Sequence, residues 1–103
     1  MDWVLVVSGD DEFQQRSMAV LRGNRAVGAI SDAAARRLVG SLRPSVVLVD
    51  GMDDYGRQFL TSLRLLPERA RPQAFVVGGS AVGFNAVPTV EAAMSLASPA
   101  NAA

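Results

Sequence analysis

The sequence predicts an α/β fold: a doubly wound parallel sheet with helices on both faces, in one domain. Three observations predict it. Continuous apolar runs rich in valine recur at residues 3–7, 46–49 and 74–77, a composition typical of strands buried on both faces. Between them lie segments whose apolar residues return every three or four positions, as on one face of a helix. The runs end at Ser8, Asp50 and Gly78, which are small or acidic. Strands alternating with helices in this way call for parallel pairing and right-handed crossovers.

Each element follows in order. Trp3-Val4-Leu5-Val6-Val7 is the first strand, ended by Ser8-Gly9. Asp10-Asp11-Glu12 opens a helix whose inward stripe is Phe13, Ser17, Val20 and Leu21, with the acids favoured by the helix dipole. Gly23-Asn24 closes it. Ala26-Val27-Gly28-Ala29-Ile30 is a weaker second strand. Ser31 or Asp32 caps a helix carrying Ala34, Ala35, Leu38, Val39 and Leu42 on one face, and Pro44 stops it. Val46-Val47-Leu48-Val49 is the third strand and runs into Asp50. A loop from Gly51 to Gly56 leads to a helix with the stripe Phe59, Leu60, Leu63 and Leu66, bounded by Pro67 and Pro72. Ala74-Phe75-Val76-Val77 is the fourth strand. Residues 78–85 hold three glycines and read as loop. Ala86-Val87 is a short fifth strand, and Thr89 caps a last helix with Val90, Ala93, Met94 and Ala97 inward. The domain is expected over residues 1–97, with a flexible tail over residues 98–103.

Composition narrows the function. The 103 residues suit one domain, and half of them are hydrophobic, enough for a core without staples. There is no cysteine and no histidine, which removes disulfides, thiol nucleophiles and the commonest zinc and imidazole chemistry. Any metal would need oxygen ligands, so magnesium or calcium. Ten basic residues, all arginine, balance ten acidic ones. A neutral balance argues against a nucleic-acid partner. With no lysine either, and no serine beside a base, an enzyme is the least favoured class. No basic segment precedes an apolar run at the N-terminus, and no apolar stretch is long enough for a membrane. The expectation is a soluble cytoplasmic protein.

In doubly wound sheets the functional site lies at the carboxyl ends of the strands, near the point where strand order reverses. That singles out residues 8–11, 50–52 and 78–80. At these positions the chain resembles the bacterial response-regulator receiver domain, over nearly its whole length. The family has an acidic pair after the first strand, a phosphoacceptor aspartate after the third, a hydroxyl residue after the fourth and lysine-proline after the fifth. Asp50 falls on the phosphoacceptor position. The resemblance implies a flavodoxin-like five-stranded sheet of order 2-1-3-4-5.

The rest of the pocket is degenerate. Ser8 and Gly9 stand where the acidic pair is expected, and Asp10 and Asp11 follow one or two positions late. Gly78 replaces the hydroxyl residue. Val87 precedes Pro88 where lysine is expected, and a chain without lysine offers no substitute. Met52 stands where the family's loop methionine does, without the proline that follows it there. The resemblance then implies at most a weak magnesium site at Asp10, Asp11 and Asp50, and otherwise no cofactor. Phosphoryl transfer needs cations to offset charge on the transferred group, and removing one such stabiliser costs ~10²–10³ in rate in comparable sites. Without the hydroxyl, the usual switch has nothing to move.

Eight residues from Gly78 to Asn85 leave no room for a full fourth helix with its own loop. A shortened or missing helix exposes apolar surface at Val82, Phe84, Val87 and Pro88, and such patches mark interfaces. The reading is therefore a pseudo-receiver: a protein–protein interaction module in signal transduction, working largely without phosphorylation, with a homodimer or a signalling partner on that face. Two alternatives stay open. One is a working phosphoacceptor at Asp50 in a two-component relay. The other is a domain similar to the anti-sigma-antagonist family, whose phosphorylated serine is not matched, since Asp54-Tyr55-Gly56 stands there. Gly78-Gly79-Ser80 as an anion nest, Asp53 and Asp54 as calcium ligands, and Arg36, Arg37, Arg64, Arg69 and Arg71 as partner contacts all have simpler readings as turn, solvated loop and solvent-facing charge. Trp3 reads as a plug at the sheet's edge.

Overall fold

A computed structural model describes residues 2–97. Five strands, β1 (Trp3–Val7), β2 (Arg25–Ala29), β3 (Val46–Asp50), β4 (Gln73–Val77) and β5 (Asn85–Val87), form one parallel sheet of order β2-β1-β3-β4-β5. Four helices, α1 (Asp11–Val20), α2 (Asp32–Leu42), α3 (Asp54–Arg64) and α4 (Val90–Leu96), connect or follow the strands, with a 3-10 turn at Glu68–Ala70 before β4. The fold class expected from the sequence is the one observed. The tail expected over residues 98–103 lies outside the described residues.

Strand periodicity explains why helices cover both faces. Successive side chains alternate across a strand. Val4 and Val6 of β1, Val46 and Leu48 of β3 and Phe75 and Val77 of β4 share one core cluster with Phe13 and Leu21 at α1 and Val90 and Ala93 of α4. Leu5 and Val7, Val47 and Val49, and Val76 share the other with Ala35 of α2 and Phe59, Leu60 and Leu63 of α3. The runs lack polar residues because both their faces are buried.

Each helix opens on a side-chain cap. Asp10, Ser31, Asp53 and Thr89 accept from the amides of Glu12, Ala34, Gly56 and Ala92 at 3.1–3.2 Å. These bonds satisfy N–H groups that the first turn leaves without partners. Ser31, not Asp32, is the cap of α2. Asp53 starts α3 at Asp54, inside the segment expected to be loop.

Other details depart from the sequence-based expectations. Ile30 lies beyond the end of β2 and is 67% exposed. Val20 faces outward at the end of α1, because the final turn rotates it away from the sheet and Leu21 takes the inward place. Trp3 does not plug the sheet's edge: β1 lies one strand in, and Arg25 of the edge strand stacks over the indole at 5.8 Å. Between β4 and β5 no helix forms, and residues 78–84 cross as a loop. Val87 is not exposed by that loss: its side chain joins the α1/α4 core.

Candidate functional site

Register brings the site together. Ser8 follows Val4 and Val6, and Asp50 follows Val46 and Leu48, so both continue the face covered by α1 and α4. Val7 pairs with Val49, which sets Ser8 beside Asp50. Both residues are buried.

Asp50 is held entirely from within. Its Oδ2 accepts from the Ser8 hydroxyl at 2.7 Å, and its Oδ1 accepts from the Met52 amide at 3.0 Å. The Ser8 Oγ in turn accepts from the Asp10 amide at 2.9 Å. One hydroxyl thus ties the central aspartate to the start of α1. Hydrogen bonds to a charged acceptor are the strong kind, each worth about 1.5–3 kcal/mol. No cation joins this set: the one ion pair among the described residues links Arg36 to Asp32.

Asp53 does a second job beside capping α3. Its Oδ2 accepts from the Gly9 amide at 2.9 Å, linking the β3–α3 loop to the end of β1. A Cβ on Gly9 would lie 2.7 Å from the Tyr55 ring, so a larger residue there would have to displace Tyr55. Gly51 and Gly79 press backbone to backbone, and a Cβ on Gly51 would meet Gly79 at 2.8 Å. Those glycines let the β3–α3 and β4–β5 loops touch.

The expected metal set does not form. Asp10 caps α1, Asp11 accepts from Gln15, and Asp50 is occupied by Ser8 and Met52. Among the described residues no three acidic groups converge to hold a metal ion. Gly78 sits at φ 78° with its amide donated to the Val87 carbonyl at 2.9 Å, so that N–H belongs to the sheet and not to an anion nest.

Beside Asp50 lies a cleft of about 490 Å³ between α1 and α4. Phe13, Ser17 and Val20 wall it on one side and Pro88 and Val90 on the other, with Asp50, Met52 and Gly78 at its end. The Ser17 hydroxyl is buried and has no hydrogen-bond partner.

Several of these residues escaped the sequence reading. Gln14, buried on α1, donates from Nε2 to the carbonyls of Val6, Ser8 and Ala29 at 3.0–3.2 Å. Gly28 makes room for it, since a Cβ there would lie 2.3 Å from the amide oxygen. A glycine inside a strand run is the signal that could have pointed to such a close approach. Arg57 and Arg64 of α3 are not plain solvent charges. Arg57 donates to the carbonyls of Gly51 and Ser80 at 3.3 and 3.4 Å, and Arg64 donates to the Val82 carbonyl and lies 5.3 Å from the Phe84 ring centre. Arg71 likewise ties down the carbonyls of Leu66 and Arg64, both at 2.9 Å.

A buried aspartate thus ends the third of five strands in a sheet of order 2-1-3-4-5, and solved structures share the fold of the whole chain. The N-terminal domain of a response regulator receiver protein from Methanoculleus marisnigri matches with a TM-score of 0.68 at 17% identity, over 94% of this chain and 93% of that one. The pseudo-receiver domain of the CikA protein matches at 0.75 and 16% identity, over 100% and 98%. The bacteriophytochrome response regulator AtBRR matches at 0.69 and 17% identity, over 94% and 89%. This chain has the receiver fold. No protein-family model matches the sequence, and no curated protein is similar to it. Within the receiver fold, Asp50 occupies the end of the central strand, and Ser8 and Gly78 flank it from the neighbouring strands. Residues 78–84 take the stretch between β4 and β5 where a further helix was expected to be short or missing. Among the described residues no helix is long and apolar enough to cross a membrane.

Proposed function

We propose that this domain is a pseudo-receiver: a protein–protein interaction module in signal transduction that works largely without phosphorylation. The observation that carries the reading is the surroundings of Asp50, which among the described residues hold neutral donors and no cation. Both carboxylate oxygens are engaged by the chain itself, one by a serine side chain and one by a backbone amide. A phosphoryl acceptor needs cations to offset the incoming charge. Here the chain has no lysine, and among the described residues no carboxylates converge for a metal. The event would also find no hydroxyl at Gly78 to move.

The interaction face we assign is the β4–β5 loop and the start of α4. Val82 is 88% exposed at its tip and Pro88 is exposed, while Phe84 is half-buried against the α2/α3 core. Arg57 and Arg64 tether the loop to α3. A tethered apolar tip binds at a lower ordering cost than a free one. The expected occupant is a second copy or a signalling partner.

The alternative, a phosphoacceptor at Asp50, is supported by its place at the strand end beside an open cleft. Intact-mass measurement after incubation with acetyl phosphate and magnesium separates the two. The pseudo-receiver reading expects no mass gain. A gain of one phosphoryl group in the wild type, absent from Asp50→Asn, would establish the alternative. Light scattering of the wild type and Val82→Asp reports on the face: a dimer lost in the variant supports a self-contact there.

A further inference from the structure

The cleft between α1 and α4 ends on a carboxylate that has no counter-ion. Asp50 is 5% exposed, and its two internal partners are neutral donors. A carboxylate offers about four acceptor positions, so Ser8 and Met52 leave capacity unused. Phe13, Val77 and Val90, which line the same cleft, are apolar. Near such walls a charge interacts more strongly than it does in water, and a cation is what it attracts.

We propose that this cleft binds a small organic cation: a primary ammonium group carried on an apolar ring or chain, with Asp50 as its counter-ion. Room for the head group lies at the Gly78 end, where a Cβ would meet nothing within 4 Å. The volume of about 490 Å³ falls within the range of small-molecule sites, roughly 300–1,000 Å³. The ligand's body would lie between Phe13 and Val20 on α1 and Pro88 and Val90 across from them, with the Phe13 ring able to face the cation.

A second observation points the same way. Ser17 lines the α1 wall, and its buried hydroxyl has no partner. Buried polar groups without partners are rare in folded proteins, and a bound molecule is one way to satisfy them. A turn of the Ser17 side chain toward the cleft would bring that hydroxyl to an acceptor atom on the ligand's body. Charge excludes the other classes. Asp10, Asp50 and Glu91 all line the cleft and repel an anion, while Arg16, exposed at its rim, is the only cation on the wall. A neutral apolar ligand would displace water from Asp50 and give nothing in return, which costs more than it gains.

The test is an NMR titration of the uniformly ¹⁵N-labelled chain with phenethylammonium, and with phenethyl alcohol as the neutral isostere. The expected result is saturable shifts on Ser17, Val20, Met52, Gly78 and Val90, with the alcohol binding at least about tenfold more weakly, as follows from losing a charge-assisted contact. Asp50→Asn should weaken the ammonium to the level of the alcohol. Because that variant disturbs the Ser8 bond, the isostere comparison on the wild type stands by itself. Equal affinity for ammonium and alcohol, or no saturable shift in the cleft, overturns the proposal. The outcome is independent of the partner-binding reading, which the mass and light-scattering experiments decide.

Discussion

Ser8 stands where a metal-binding pocket would place a second acid, and it does the opposite work. Its hydroxyl donates to Asp50 instead of sharing a cation with it. Ser8→Ala removes a buried bond to a carboxylate and leaves the Asp10 amide without its acceptor. Urea denaturation should show a loss of about 1.5–3 kcal/mol. Ser17→Ala should behave differently. The hydroxyl it removes is unpaired, so the same measurement should find the variant as stable as the wild type, or more stable by up to about 1 kcal/mol. Gly51→Ala drives a methyl into the Gly79 backbone and should cost about 1–3 kcal/mol, the range for overpacking. At this scale the sequence was partly legible. Asp50, Ser8 and Gly78 stood out because strand ends are where α/β sheets place their sites. Gln14 and the bond from Gly9 to Asp53 did not, since a polar residue on a helix or in a loop looks the same in sequence whether it faces water or the backbone.

The link from β4 to β5 is the one strand-to-strand connection among the described residues without an α-helix. With no helix there, α3 supplies the restraint: Arg57 reaches Ser80, and Arg64 reaches Val82 and Phe84. These contacts are exposed, and exposed charge contacts contribute less than about 1 kcal/mol each. Arg57→Ala with Arg64→Ala should therefore leave global stability within about 2 kcal/mol. Amide exchange over residues 79–84 should nevertheless rise clearly, because local opening depends on these few contacts. Unchanged exchange would mean that the loop is held by Phe84 packing alone. The strands and helices were legible from periodicity, because a doubly buried strand has to be apolar throughout and a helix has to repeat its stripe. The helix boundaries were less so. Asp53 looks like part of an acidic loop until its cap to Gly56 is seen, and Ile30 continues an apolar run that the sheet does not pair.

At the scale of the whole molecule, two core clusters lie on opposite faces of the same strands. They share β1, β3 and β4, so neither can melt while the other keeps its sheet. Phe75→Ala on one face and Phe59→Ala on the other should each cost about 3–5 kcal/mol. Trp3 fluorescence and far-ultraviolet dichroism should still report one coincident transition for each variant. The same architecture places every strand-to-helix loop at one end of the sheet. A site therefore forms there whatever residues occupy it, and in this chain they place neutral donors on both oxygens of Asp50 and leave a cleft open beside it. The measurement that tests this most directly is a backbone NMR titration with magnesium and beryllofluoride, with Asp50→Asn as control. A pocket with no lysine, no converging metal ligands among the described residues and no hydroxyl at Gly78 predicts no saturable change with these ions at Ser8, Asp50, Met52 or Gly78. Shifts centred on those residues in the wild type, and absent from the variant, would show that the pocket still takes a phosphoryl mimic and would contradict the account.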